Sequence, residues 1–276
     1  MTPLIDADVL RYEIGFAAET GWQQSGFPPF DYVADLIENR IGNICAVVGA
    51  TTPPKLYLTG KGNFRNDIAK RIPYKQRASN KPWHFKNITA YMLSRYDVTT
   101  SEGMEADDLM AIEQTRNPGT TIVCTRDKDL RQVPGWHYGW ELGAQPQFGP
   151  MLVDTVGAIQ LSNDRKSIKG YGELFFYSQC LTGDRVDTIP GLEGTGAIGA
   201  SLILEGCTDT LDAFKRVRSA YRDVYGDRGD EELLEQGRLL WMSRELNEDG
   251  SPVLWEFPKL EEDVVPSQQE KGVLIV

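Results

Sequence analysis

The chain has 276 residues, 41% of them hydrophobic, which suits one large domain or two modest ones around a substantial core. It contains no run of 18 apolar residues, its first residues reach acids within six positions without a basic start, and its four cysteines form no CxxC pair. These features argue against a membrane-spanning helix, a secretory leader, a zinc site or a disulfide framework, and lead to the expectation of four thiols in a reducing, cytosolic setting.

The net charge of −11 argues against nucleic acid only on average, because the charge is segregated. Nine Lys or Arg and a single acid, Asp67, lie between Lys55 and Lys86, whereas thirteen acids face five bases from Asp227 onward. One segment can therefore hold phosphates while another keeps the protein soluble.

In chain order, PLIDADVL reads as a buried strand ending in carboxylates, and RYEIGFAAE as a helix. DYVADLIENRIGNICAVVG is a second amphipathic helix, and KLYL a short strand leading into TGKGNFR. The basic stretch from Asn66 to Trp83, broken by two prolines, is expected to form a loop or partly helical arch. GMEADDLMAIEQTR is helical, with acids in the first turn where the dipole favours them. NPG is a turn, and TTIVCTRDKDL a strand followed by an acidic loop. Strands alternating with helices imply an α/β fold with a mainly parallel sheet. HYGWELGAQPQFGPMLVDTVG suggests a hairpin, and helices dominate from Lys169 to about Arg244. The expected division is 1–165 and 166–276, the two halves packed as one body.

Asp6 and Asp8, then Asp127 and Asp129, follow apolar strands, and strand C-termini in a parallel sheet share one edge. If Glu105, Asp107 and Asp108 open a helix after another strand, they reach the same edge. Asp184 and Asp187, three apart, would share a helical face. Taken singly, each acid reads as a cap or a solvated charge. Together they would repel one another unless cations lay between them, and an oxygen-only donor set suits Mg²⁺ or Mn²⁺. Two such ions about 4 Å apart serve in-line displacement at phosphorus. Gly194-x-Gly196-x-x-Gly199 matches a dinucleotide-binding loop, but no strand precedes it. IDADVL also fits a haloacid-dehalogenase-type phosphatase, with Thr59 as its small hydroxyl residue, although that assignment leaves most of the other acids without a role.

The ordered series Glu105-Ala-Asp107-Asp108, Thr125-Arg-Asp127-Lys-Asp129-Leu and Gly183-Asp184-Arg-Val-Asp187, followed by Ile189-Pro-Gly191-Leu-Glu-Gly194-Thr-Gly196-Ala, resembles the flap endonuclease and 5′→3′ exonuclease superfamily. Within it, the chain looks most like the exonucleases of short-tailed phages. The resemblance runs from about Asp6 to Ala200. It implies a PIN-like nuclease domain with an arch at about 61–86, then a helix–hairpin–helix region. It also implies hydrolysis of DNA, or of RNA–DNA hybrid, near a 5′ end or flap, by a monomer in the cytoplasm, which is the host's if the chain is phage-encoded. Asp6, Glu105, Asp107 and Asp108 would hold a first metal ion, and Asp127, Asp129 and Asp184 a second, with Asp187 in support and Asp8 orienting neighbours.

Lys75 and Arg77 would grip the scissile phosphate, and Lys61 and Arg65 the backbone. Gly191, Gly194 and Gly196 would let the hairpin approach duplex phosphates, with K⁺ as a further ligand. Tyr74, Trp83 and Phe85 are candidates for stacking on bases, and Lys215, Arg216, Arg218 and Arg222 for distal phosphates. His84 and His137 have no motif around them. The chain departs from the family at Thr59-Gly60-Lys61, where a carboxylate is usual, at Arg77, which comes one residue early, and at Ile198, where a Lys is frequent. A non-catalytic binder of branched nucleic acid is the alternative that the missing carboxylate suggests.

Overall fold

The computed structural model describes residues 1–75 and 80–260. The chain opens with β1 (Thr2–Asp6), α1 (Ala7–Gly21), α2 (Phe30–Val47), β2 (Lys55–Lys61) and the single turn α3 (Arg65–Ile68). It continues with α4 (Phe85–Arg95), β3 (Asp97–Glu102), α5 (Ala106–Arg116), β4 (Thr121–Cys124) and a 3₁₀ turn at Asp129–Gln132. Two hairpins follow, β5 (Gly135–Gly139) with β6 (Phe148–Val153), and β7 (Ala158–Leu161) with β8 (Ile168–Tyr171). Helices α6 (Gly172–Thr182), α7 (Ala197–Ile203), α8 (Thr210–Tyr225) and α9 (Gly229–Leu240) complete the described elements.

Six strands form one sheet in the order β3-β2-β1-β4-β5-β6, parallel except for β6. Side chains alternate across each strand, and both faces are covered, so the central strands are apolar throughout. Ile5, Leu56, Leu58, Ile122 and Cys124 face a core shared with Ile14 of α1, Ile37 of α2 and Ile88 and Met92 of α4. Leu4, Tyr57 and Val123 face the opposite way, onto Met110 and Ala111 of α5. A third core, around Phe176, Tyr177, Phe214, Tyr221 and Trp255, holds the helical half together.

The expected α/β architecture is present, and so is the β5–β6 hairpin. Between the basic stretch that ends at Trp83 and the helix of GMEADDLMAIEQTR the chain forms two further elements. Ile88 and Met92, four apart, seat α4 on the core, and the polar DVTTSE forms the edge strand β3. The boundary expected near residue 165 falls in the turn of β7–β8, and both strands of that hairpin pack on α6. No described helix is long and apolar enough to cross a membrane.

Candidate active site

Four chain segments bring carboxylates to the C-terminal edge of the parallel strands. Asp6 is the last residue of β1 and caps α1: Val9 N donates to its Oδ1 at 3.0 Å, and Thr125 Oγ1 to its Oδ2 at 2.6 Å. Glu105 is the N-cap of α5, which follows β3 as the sequence had required, and Asp107 lies in the first turn. Asp127 and Asp129 follow β4, where Asp129 N donates to Asp127 Oδ1 at 2.8 Å. Asp184 and Asp187 lie on a tight turn closed by Asp184 and Ile189 rather than on a helix, because Gly183 ends α6 with a positive φ. Val186 N and Asp187 N both donate to Asp184 Oδ1, which fixes that carboxylate on the turn.

Two lysines bridge part of this charge. Lys75 Nζ donates to Glu105 Oε1 at 2.6 Å and lies 3.6 Å from Asp187. Tyr74 Oη stands 3.0 Å from both the same acids. Lys128 Nζ lies between Asp129, at 2.7 Å, and Asp184. Burial would raise the Asp184 pKa, but Lys128 together with the Val186 and Asp187 N–H groups outweighs it and holds the carboxyl below its usual range.

Asp6, Asp107 and Asp127 form no ion pair among the described residues. Burial pushes the Asp6 carboxyl up to about 6, and Asp8 adds to the shift. Asp127 is raised to about 7 by burial and by Asp129. Asp107 is raised well above its usual value by burial, then by repulsion from Asp6, Asp127 and Glu105. Among the described residues no three acids are drawn around one point. Even so, oxygen-only donors under mutual repulsion make a set that divalent cations fit. The acids Asp6, Glu105, Asp107 and Asp127 line a cleft of about 1230 Å³ that continues along α1 past Tyr12 and Phe16 to Lys81 and Phe85.

No family model matches the chain. DNA polymerase I of Borreliella burgdorferi is 27% identical over 154 residues, which are 52% of this chain and 15% of the polymerase, so the chain matches only a small part of that relative's length. The T5 D15 protein co-crystallised with metal ions superposes with a TM-score of 0.54 at 16% identity, over 88% of this chain and 90% of that one. The T5 5′-exonuclease with divalent zinc bound superposes at 0.56 and 17% identity, over 87% and 88%. The chain has the T5 5′-exonuclease fold.

Two residues of this 5′-exonuclease fold do not stand where the sequence had put them. Arg65, expected on a DNA backbone, is fully buried. Its Nη1 and Nη2 donate to the two oxygens of Asp108 at 2.6 and 2.9 Å, and its remaining donors reach Leu239 O and Trp241 O. Asp108, expected on a metal, also accepts from Glu105 N and Ser243 N. Four donors saturate the lone-pair sites of a carboxylate. Asp108 has no face left for a cation and instead ties α5 to α3 and to the segment that follows α9.

Gly191 is a third correction. It is buried, its N–H donates to Gln236 Oε1, and a Cβ there would lie 2.3 Å from Gly183 N. It shapes the turn and does not touch a ligand. Gly194 and Gly196 are exposed with open space around them, as a phosphate contact needs. Gly191→Ala, which forces a Cβ into a left-handed conformation against backbone, should cost about 3 kcal/mol and lower the melting temperature by roughly 8 °C. Gly194→Ala (φ +75°) should cost only about 1 kcal/mol, and thermal melts of the pair separate shaping from contact.

Lys61 is exposed and makes no ion pair among the described residues; Arg77 lies outside the described residues. Tyr74 is buried against the acids and cannot stack on a base, whereas Trp83 is exposed and stacks on Phe27 at 3.8 Å. Phe85 carries Arg11 and Lys81 over its ring. Arg216 pairs with Asp212, and Arg218 and Arg222 both pair with Asp230, which leaves Lys215 of the four distal candidates. Asp8 orients neighbours: it accepts from Thr59 N at 2.9 Å and pairs with Arg11.

Sequence reasoning missed Lys128, which it treated as a spacer inside TRDKDL, and Gln179, whose amide holds Asp129 at 2.6 Å. It missed the structural use of Thr59 too, whose Oγ1 accepts from Ala106 N and so fixes the start of α5. The alternation of charge in Asp127-Lys128-Asp129 was a usable signal for the first. No local pattern marks the other two.

Proposed function

We propose that this chain is a divalent-metal-dependent 5′ nuclease that hydrolyses DNA phosphodiesters near a free 5′ end or flap. The observation that carries this reading is the trio Asp6, Asp107 and Asp127, which line a large cleft and are raised by burial and by repulsion from neighbouring carboxylates. The T5 5′-exonuclease fold supports the polarity, and the metal-bound neighbours support the cofactor class.

Asp6, Glu105 and Asp107 would hold one Mg²⁺ or Mn²⁺, and Asp127, Asp129 and Asp184 a second, with Asp187 in support. When bound, such cations acidify water and offset the charge on the departing oxygen. The chain's own groups do the rest. Thr125 Oγ1 and Val9 N fix the Asp6 carboxylate, Gln179 fixes Asp129, and Tyr74 fixes Glu105 against Asp187. Glu105 and Asp187 hold Lys75 protonated at the cleft, from which its ammonium can turn to the scissile phosphate. Arg77 would join it. Lys61 and the open backbone at Gly194 and Gly196 contact flanking phosphates, with K⁺ able to bridge at the glycine turn. The protein acts as a monomer, and RNA–DNA hybrid is a second substrate of the same chemistry.

The test uses a 5′-labelled flap duplex, the matching RNA–DNA hybrid and a chromogenic phosphomonoester, each with Mg²⁺ or EDTA. Mg²⁺-dependent release of short 5′ fragments is the expected result. Turnover of the monoester alone would transfer the site to phosphatase chemistry, and tight flap binding without cutting would make the chain a binder.

A further inference from the structure

Cations in this acidic chain are mostly matched to carboxylates. Arg40 pairs with Glu13, Lys55 with Glu113, Arg216 with Asp212, and Arg244 with Glu173. The β7–β8 hairpin is different. Arg165, Lys166 and Lys169 are exposed and form no ion pair among the described residues. The one acid in the hairpin, Asp164, is engaged in its turn, where its Oδ1 accepts from Ser162 Oγ and Lys166 N.

The strand register presents these cations outward. Ile159 lies opposite Gly170, Gln160 opposite Lys169, and Leu161 opposite Ile168. Residues directly opposite share a face. Ile159 and Ile168 pack on the helical core, so Gln160 and Lys169 face away from it. Arg165, at the tip, takes φ +58°, which turns the chain and leaves its side chain in solvent beside Lys166. β8 packs against the 129–132 turn that carries Asp129, and β7 against α7, which follows the glycine turn. The hairpin thus adjoins both the acidic edge and the open glycines.

We propose that the outward face of this hairpin grips the sugar-phosphate backbone of the substrate's duplex part, through Arg165, Lys166 and Lys169 with the Gln160 amide. This rests on the nuclease reading above. The face offers exposed positive charge, offset only by the pull between Lys169 and Asp164, and by the same register Ala158 and half-buried Tyr171 share it; its cations read a polyanion by charge and spacing and carry no base preference. A chain of net charge −11 repels DNA at long range, and unpaired cations set beside the site counter that locally.

The experiment measures binding of the full chain to a labelled flap duplex and to the same single strand alone, by fluorescence anisotropy in EDTA across a salt series. The variant Arg165→Gln/Lys166→Gln/Lys169→Gln should lower the slope of log affinity against log salt for the duplex by about 2–3 and weaken binding about tenfold or more. Lys169→Gln alone should lower the slope by about 1. Single-strand binding should change far less, and a thermal melt should report both variants folded. A duplex slope equal to wild type in the folded triple variant overturns the proposal, as does an equal loss for both DNAs. If the wild type fails to cut the flap with Mg²⁺, the nuclease reading itself falls. If it cuts while the slopes coincide, the hairpin proposal alone falls.

Discussion

Arg65→Met should lower the melting temperature by roughly 10 °C, the largest loss expected from any single exposed-looking cation in the basic stretch. The guanidinium is fully buried and donates to Asp108, Leu239 O and Trp241 O. Its removal leaves Asp108 charged in the interior and two carbonyls without donors, at a cost of about 3–5 kcal/mol. Arg65→Met/Asp108→Leu removes both charges and should recover most of that loss. Calorimetry of the two variants decides it. If the single variant melts like wild type and its DNA binding alone weakens, Arg65 is a surface phosphate contact and is not sealed against Asp108.

Asp127→Asn is the second large effect, and stability and activity should move in opposite directions. Asp127 is raised to about 7 from an ordinary value near 4. The folded state therefore holds this proton more tightly than the unfolded chain, so deprotonation destabilises the fold. The penalty is absent below pH 4, grows between pH 4 and 7, and is complete above pH 7. At pH 8 without metal, Asp127→Asn should gain about 2 kcal/mol, a few degrees of melting temperature, once partial solvent screening is allowed for. At pH 4 the two proteins should coincide. His137, buried and lowered to about 4, makes the opposite contribution below pH 6.5, but it is common to both proteins and cancels in the comparison. Mg²⁺ should stabilise the wild type more than the variant, and flap cleavage should fall about 100-fold or more. A variant that is less stable at pH 8 and still cleaves would remove Asp127 from the site.

Asp6, Glu105, Asp107, Asp127 and Asp129 were legible because they close apolar strands or open a helix, and a parallel sheet sends all such ends to one edge. The apolar strands β1, β2 and β4 and the amphipathic α1 and α2 were legible from local pattern as well. Strand β3 and the β7–β8 hairpin were not, because DVTTSE is a polar edge and AIQL and IKGY are four residues long, too short for periodicity to stand out.

The sequence by itself determined the α/β class and the edge at which the acids meet. Charge pairing was decided only by the tertiary structure. Arg65 lies in the same basic run as Lys61, yet one is sealed against Asp108 and the other is open. Asp108 is one residue from Asp107, yet it is saturated by four donors, three of them from distant segments of the chain. Whether a charge is matched depends on what lies within about 4 Å of it. For Asp108 that neighbourhood comes from segments 43 and 135 residues away, which no local spacing records.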